Sequence, residues 1–120
     1  MTGSAVEDYA LLGDLQTAAL VGRDGSIDWL CLPRFDSPAC FAALLGGEEA
    51  GCWRLGPAAG GTVTRRRYRE DSLVLQSEWE TADGTVRVVD FMPPRGARTA
   101  VTTLSRCSSD WWLCATMSAC

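Results

Sequence analysis

Histidine, lysine and asparagine are all missing from the 120 residues, and each of the 11 basic side chains is an arginine. Without an imidazole, neither a Ser-His-Asp nor a Cys-His arrangement can be assembled from this chain alone. The usual histidine-bearing zinc sites fall with it, and no CxxC pair starts an all-cysteine site. No metal and no cofactor are therefore expected. No apolar run approaches the roughly 20 residues of a membrane helix, so no membrane partner is expected either. Avoiding those three residues fits a GC-rich gene and says nothing about function.

What is present is ordinary globular material. Hydrophobic residues make up 47% and charged residues 22%, with a mean hydropathy of +0.00. The length suits one domain with a modest core. Fifteen acids against the arginines give a net charge of -4, which argues against nucleic acid as a partner, because that affinity rests on neutralising phosphates. Six cysteines occur, at Cys31, Cys40, Cys52, Cys107, Cys114 and Cys120. Glu7 and Asp8 precede any apolar run, unlike the basic start of a secretory signal. A cytoplasmic setting with reduced thiols is expected, with Cys31 and Cys40 as small core residues.

The stretch from Gly13 to Gly46 organises the chain. Ahead of it, Val6 to Asp14 reads as a lead-in that packs Tyr9 on the first sheet. Leu15–Val21 and Ser26–Leu32 read as strands joined by an Asp24-Gly25 hairpin turn. Period two places Ile27, Trp29 and Cys31 on one face. Pro33 ends the second strand, since proline cannot donate to a ladder. Asp36 or Ser37 then caps a helix over Ala39–Leu45, closed by Gly46-Gly47 and leaning on the sheet through Phe41, Leu44 and Leu45. Gly51–Leu55 reads as a short strand, and Arg65–Arg67 as a solvated edge facing Glu70 and Asp71. Ser72–Thr81 and Thr85–Met92 form a second hairpin through Asp83-Gly84, with Leu73, Leu75, Ser77 and Trp79 on its buried face and Gln76 on its wet one.

The segments EDYALLGDLQTAALVGRDGSIDWLCLPRFDSPACFAALLG and RRRYREDSLVLQSEWETADGTVRVVDFMPPRG closely resemble the N-terminal domain of trehalase-like and glucoamylase-like enzymes of glycoside hydrolase family 15. GRDGSIDWLCLPRFDSP, from Gly22 to Pro38, is long enough to make the resemblance specific. It covers 6–96 and implies a mainly β fold, a partial β-sandwich of antiparallel hairpins with one short helix, truncated before completion. It also implies a catalytic (α/α) barrel in the intact protein as partner, and an α-glucoside as the parent enzyme's substrate. In that family an acid and a base in the barrel cleave the bond with inversion, so no catalytic residue is assigned here. Glu48-Glu49 and Glu78-Glu80 read as surface carboxylates.

After Gly96 the texture changes. Residues 97–120 hold Asp110 as their one acid, a Trp111-Trp112 pair and half of the cysteines, which reads as an unmatched tail translated out of frame. The expected function is an inactive N-terminal fragment of a trehalase- or glucoamylase-type hydrolase. The alternative is a stand-alone carbohydrate- or partner-binding β-module built on Trp29, Trp53 and Trp79. A corner of Trp29, Arg34, Phe35 and Asp36 is the candidate substrate contact, with an Arg34–Asp36 interaction locking it as the structural alternative. Half a sandwich leaves an apolar face open, so self-association through the uncovered sheet is also expected.

Overall fold

The computed structural model describes residues 5–57, 60–82, 84–94, 102–108 and 114–119. They form two antiparallel sheets. The first runs in the order β1 (Ala10–Gly13), β2 (Ala18–Val21), β3 (Ser26–Cys31) and β4 (Ala39–Phe41), and β5 (Trp53–Arg54) also pairs with β3. The second takes β6 (Thr62–Tyr68), β7 (Leu75–Thr81), β8 (Gly84–Phe91), β9 (Thr102–Ser108) and β10 (Cys114–Ala119) in sequence order. One short helix, α1 (Ala43–Gly46), follows β4. The fold is thus mainly β, as expected. The main core cluster joins Leu12, Ala19, Val21, Ile27 and Leu30 of the first sheet to Leu75 of the second and to Met92, just past the end of β8.

The expected β2–β3 hairpin is present, and a bulge decides how it packs. Leu20 pairs with Trp29 but Val21 pairs with Ile27, which leaves Asp28 as an extra residue. An inserted residue shifts the pleat by one step. The strand therefore buries Ile27 and Leu30, while Trp29 is only half-buried, and the expected face of Ile27, Trp29 and Cys31 is split. Asp28 is satisfied where it stands: Tyr9 donates its hydroxyl to Oδ2 at 2.6 Å and Ser26 donates to Oδ1 at 2.5 Å. Tyr9 follows a single 3-10 turn over Val6–Asp8. The expected lead-in is more than that, since its second half is β1.

The helix expected over Ala39–Leu45 is a correction. Ala39–Phe41 is strand, and only Ala43–Gly46 is helical. The free edge of β3 takes Phe41 opposite Leu30 and Ala39 opposite Cys31, so ladder bonds outcompete the helix propensity of this alanine-rich run. No side chain caps α1. Ser37 instead accepts the Arg34 N–H at 3.1 Å. Gly47, with φ at +74°, does close the helix. Phe41 leans on the core as expected, but Leu45 is 77% exposed. Cys40 is exposed too, whereas Cys31 is buried.

The β7–β8 hairpin keeps its expected partners, ending with Thr81 opposite Gly84; Asp83 lies outside the described residues. Leu73 precedes the strand and is exposed, while Gln76 is buried against expectation. The arginine run divides. Arg65 and Arg67 lie exposed opposite Glu78 and Gln76, not Glu70 and Asp71. Arg66 is half-buried and crosses to the first sheet, where it donates to the backbone carbonyls of Asp8 (2.6 Å) and Val21. Tyr68 makes a second crossing, and its hydroxyl both accepts the Leu11 N–H (2.8 Å) and donates to the Leu11 carbonyl (2.9 Å). Beyond Gly96, β9 pairs along β8 from Val88 to Phe91 and so continues the second sheet.

Candidate functional site

Two turns meet at one end of the first sheet and make an open cleft of about 370 Å³ lined by Leu15, Gln16, Arg34, Phe35 and Asp36. The β1–β2 turn is held from inside. Buried Asp14 accepts the N–H groups of Gln16 and Thr17, both at 2.9 Å, and Thr17 donates its hydroxyl to the Cys31 carbonyl. A carboxylate accepting two backbone N–H groups fixes a turn much as an N-cap fixes a helix. The corner after β3 is fastened to this turn by the Phe35 N–H donating to the Gln16 carbonyl at 3.1 Å. The Leu32-Pro33 peptide at the entry to the corner is cis.

Of the residues singled out in the sequence, Arg34, Phe35 and Asp36 come together in this cleft. Trp29 does not line it and sits half-buried on β3 opposite Leu20. Arg34 Nε lies 3.3 Å from Asp36 Oδ1, with both side chains mostly in water. A pair that exposed is worth at most about 1 kcal/mol, so the backbone bonds rather than the ion pair define the corner. Phe35 is 64% exposed although its own N–H is tied down.

Leu15 and Gln16 were not legible as site residues. The signal that marks Leu15 is conformational: it holds φ at +73° while 89% exposed. A leucine in that region costs about 1–2 kcal/mol, and no packing offsets it. Leu15→Gly is expected to raise stability by about 0.5–1 kcal/mol, after allowing for glycine's greater freedom when unfolded. Urea unfolding of the two chains checks it, and a destabilised variant would show that Leu15 makes a contact of its own.

Trp29, Trp53 and Trp79 offer little ring face. Trp79 is 6% exposed, its indole against Gly25 and Gly56, and Trp53 packs on the core cluster. A second cleft beside Trp79 is lined also by Asp24, Arg54, Pro57, Gly60 and Gly61. Among the described residues no cluster of histidine, cysteine, aspartate and glutamate could hold a metal ion. No helix among them is long and apolar enough to cross a membrane.

Comparison with known proteins agrees with the resemblance read from the sequence. The chain is 42% identical over 87 residues to a trehalase of Mycobacterium tuberculosis, covering 72% of this chain and 13% of that protein. It is 38% identical over 109 residues to a trehalase of Mycolicibacterium smegmatis, covering 88% and 16%. Trehalase 2 of Sulfolobus acidocaldarius is 37% identical over 86 residues, with 72% and 14% covered. The chain thus spans only about a seventh of the length of the relatives it matches. No solved structure matches. The profile of the trehalase-like N-terminal family matches residues 2–111, running past Gly96 into β9, and the chain belongs to that family.

Proposed function

We propose that this chain is the N-terminal, non-catalytic part of a trehalase-type hydrolase of α-glucosidic bonds, placed in glycoside hydrolase family 15, and is inactive by itself. The observations that carry the reading are the match to the trehalase-like N-terminal family and the small share of much longer trehalases that the chain covers. Inverting hydrolysis needs two carboxyl groups about 6.5–9.5 Å apart across the bond. Among the described residues the corner cleft is lined by one acid, Asp36, and the cleft beside Trp79 by one, Asp24. Glu70 and Asp71 line a third cleft together, but as neighbours on one turn they do not face each other across a bond. In this reading the chemistry belongs to an (α/α) barrel outside this chain, and trehalose, maltose or a longer glucan would be the substrate there.

In the same proposal the corner of Arg34, Phe35 and Asp36, with Trp29 on the strand leading into it, faces the substrate pocket of that barrel. Its support is Phe35, an aromatic ring held out into water by a fixed backbone. The apolar side chains left exposed, Val6, Leu15, Phe35 and Leu45 among them, favour self-association of the chain when it is alone. A cytoplasmic setting goes with the three described cysteines being free thiols. A stand-alone sugar-binding module is less well supported, because the ring faces it would stack on are largely covered.

The test is an assay of the purified chain on trehalose and maltooligosaccharides, with tryptophan emission followed in the same titration. No hydrolysis and no emission change are expected. Turnover of either substrate would overturn the non-catalytic reading, and a saturable emission shift would favour the binding module.

A further inference from the structure

We propose that Cys31 and Cys40 form a reversible disulfide across the β3–β4 bulge when the chain meets a low-molecular-weight disulfide. This goes beyond the hydrolase reading and does not depend on it. The two thiols are free in the structure, one buried and one exposed.

Register places them side by side. Leu30 pairs with Phe41 and Cys31 with Ala39, so Cys40 is the extra residue of the bulge. Directly paired residues share a face, which puts Phe41 with Leu30 and Ala39 with Cys31. Cys40 alternates with Phe41 and therefore lies on the Cys31 face, next to it along the bulge. Adjacent positions on paired strands fall within the Cα separation that a disulfide spans, up to about 7 Å. Burial pushes the Cys31 thiol up, and Cys40 nearby pushes it further, in keeping with the register.

Exposure assigns the order of events. An incoming disulfide RSSR meets Cys40 first and leaves a mixed disulfide, releasing one RSH. Cys31 then attacks the Cys40 sulfur, loses its proton and expels the second RSH. Two cysteine thiols are oxidised and one RSSR is reduced to two RSH. The ring so closed contains Arg34, Phe35 and Asp36, so the bond would clamp the corner that lines the cleft. The exposed Cys40 sulfur leaves the bond open to attack by an incoming thiol, and a thiol reductant should reopen it.

The reduced 120-residue chain is incubated with oxidised glutathione, its remaining thiols are blocked with iodoacetamide, and it is digested and mapped. Trypsin cuts at Arg23, Arg34 and Arg54, and a glutamyl endopeptidase cutting at Glu48 and Glu49 parts Cys40 from Cys52. The expected product joins residues 24–34 to the peptide beginning at Phe35, disappears on reduction, and is not formed by Cys40→Ser. The bridged chain should melt higher by several degrees, up to about 10 °C. A lasting glutathione adduct on Cys40, a Cys40–Cys52 link, or full alkylation of both thiols would each overturn the proposal.

Discussion

Gly25→Ala is expected to cost about 3 kcal/mol or more, measured as the shift of the urea unfolding midpoint. A Cβ built on Gly25 lies 2.2 Å from the Leu55 carbonyl oxygen, and the Trp79 ring stands 3.4 Å away on another side. The near atom is backbone, so no rotamer change relieves the clash. Moving it would break the Leu55 N–H bond to the Gly25 carbonyl at 3.2 Å and pull β5 off Ser26 and Ile27. The positive φ of +80° adds its own cost. Gly60→Ala separates the two effects, because Gly60 has φ at +81° with nothing within 4 Å of its Cβ. That variant should lose only about 1 kcal/mol. Equal losses at the two glycines would mean that β5 is not held against the turn.

Arg66→Met should destabilise the chain by about 2–3 kcal/mol, while Arg65→Ala and Arg67→Ala stay within about 0.5 kcal/mol. Methionine keeps the apolar stem and loses both donors, leaving the carbonyls of Asp8 and Val21 without the guanidinium that donates to them. Burial pushes the Arg66 pKa below its ordinary value and the nearby Arg23 lowers it further. An arginine starts so high that it stays charged throughout the working range. Arg66→Lys should recover little, since one ammonium lacks the planar fork that reaches two separated carbonyls. Thermal and urea unfolding of the four variants decide it, and three equal losses along the run would refute the cross-sheet role.

β2, β3, β5 and the β7–β8 pair, with both hairpins, were legible because alternation and Asp-Gly turns act over a few neighbouring residues, whereas β1 and β4 were not. Bulges are not local in that sense. Nothing in SIDWLC says that Asp28 will be the extra residue, yet that insertion chooses Leu30 over Trp29 for the core. The same holds at Cys40, where pairing with β3 overrode a run that reads as helix. Arg66 looked like its neighbours because a charge run carries no mark of which side chain finds carbonyls across the gap. At the site, Arg34, Phe35 and Asp36 were visible as a proline-bounded corner. Leu15 and Gln16 were not, since the bond from Phe35 to Gln16 joins residues far apart in sequence.

The Tyr68 hydroxyl, which meets both backbone groups of Leu11, does for β1 what a neighbouring strand would otherwise do. β1 is the outermost strand of its sheet, and an open outer strand is a template for another chain to add to. A phenol occupying one N–H and one C=O interrupts that template at its middle. A second copy adding in register would have to displace the tyrosine and leave its oxygen without either bond. Growth of the first sheet into an intermolecular ribbon is thereby disfavoured on this side, and association of two chains is steered from strand edges towards apolar faces.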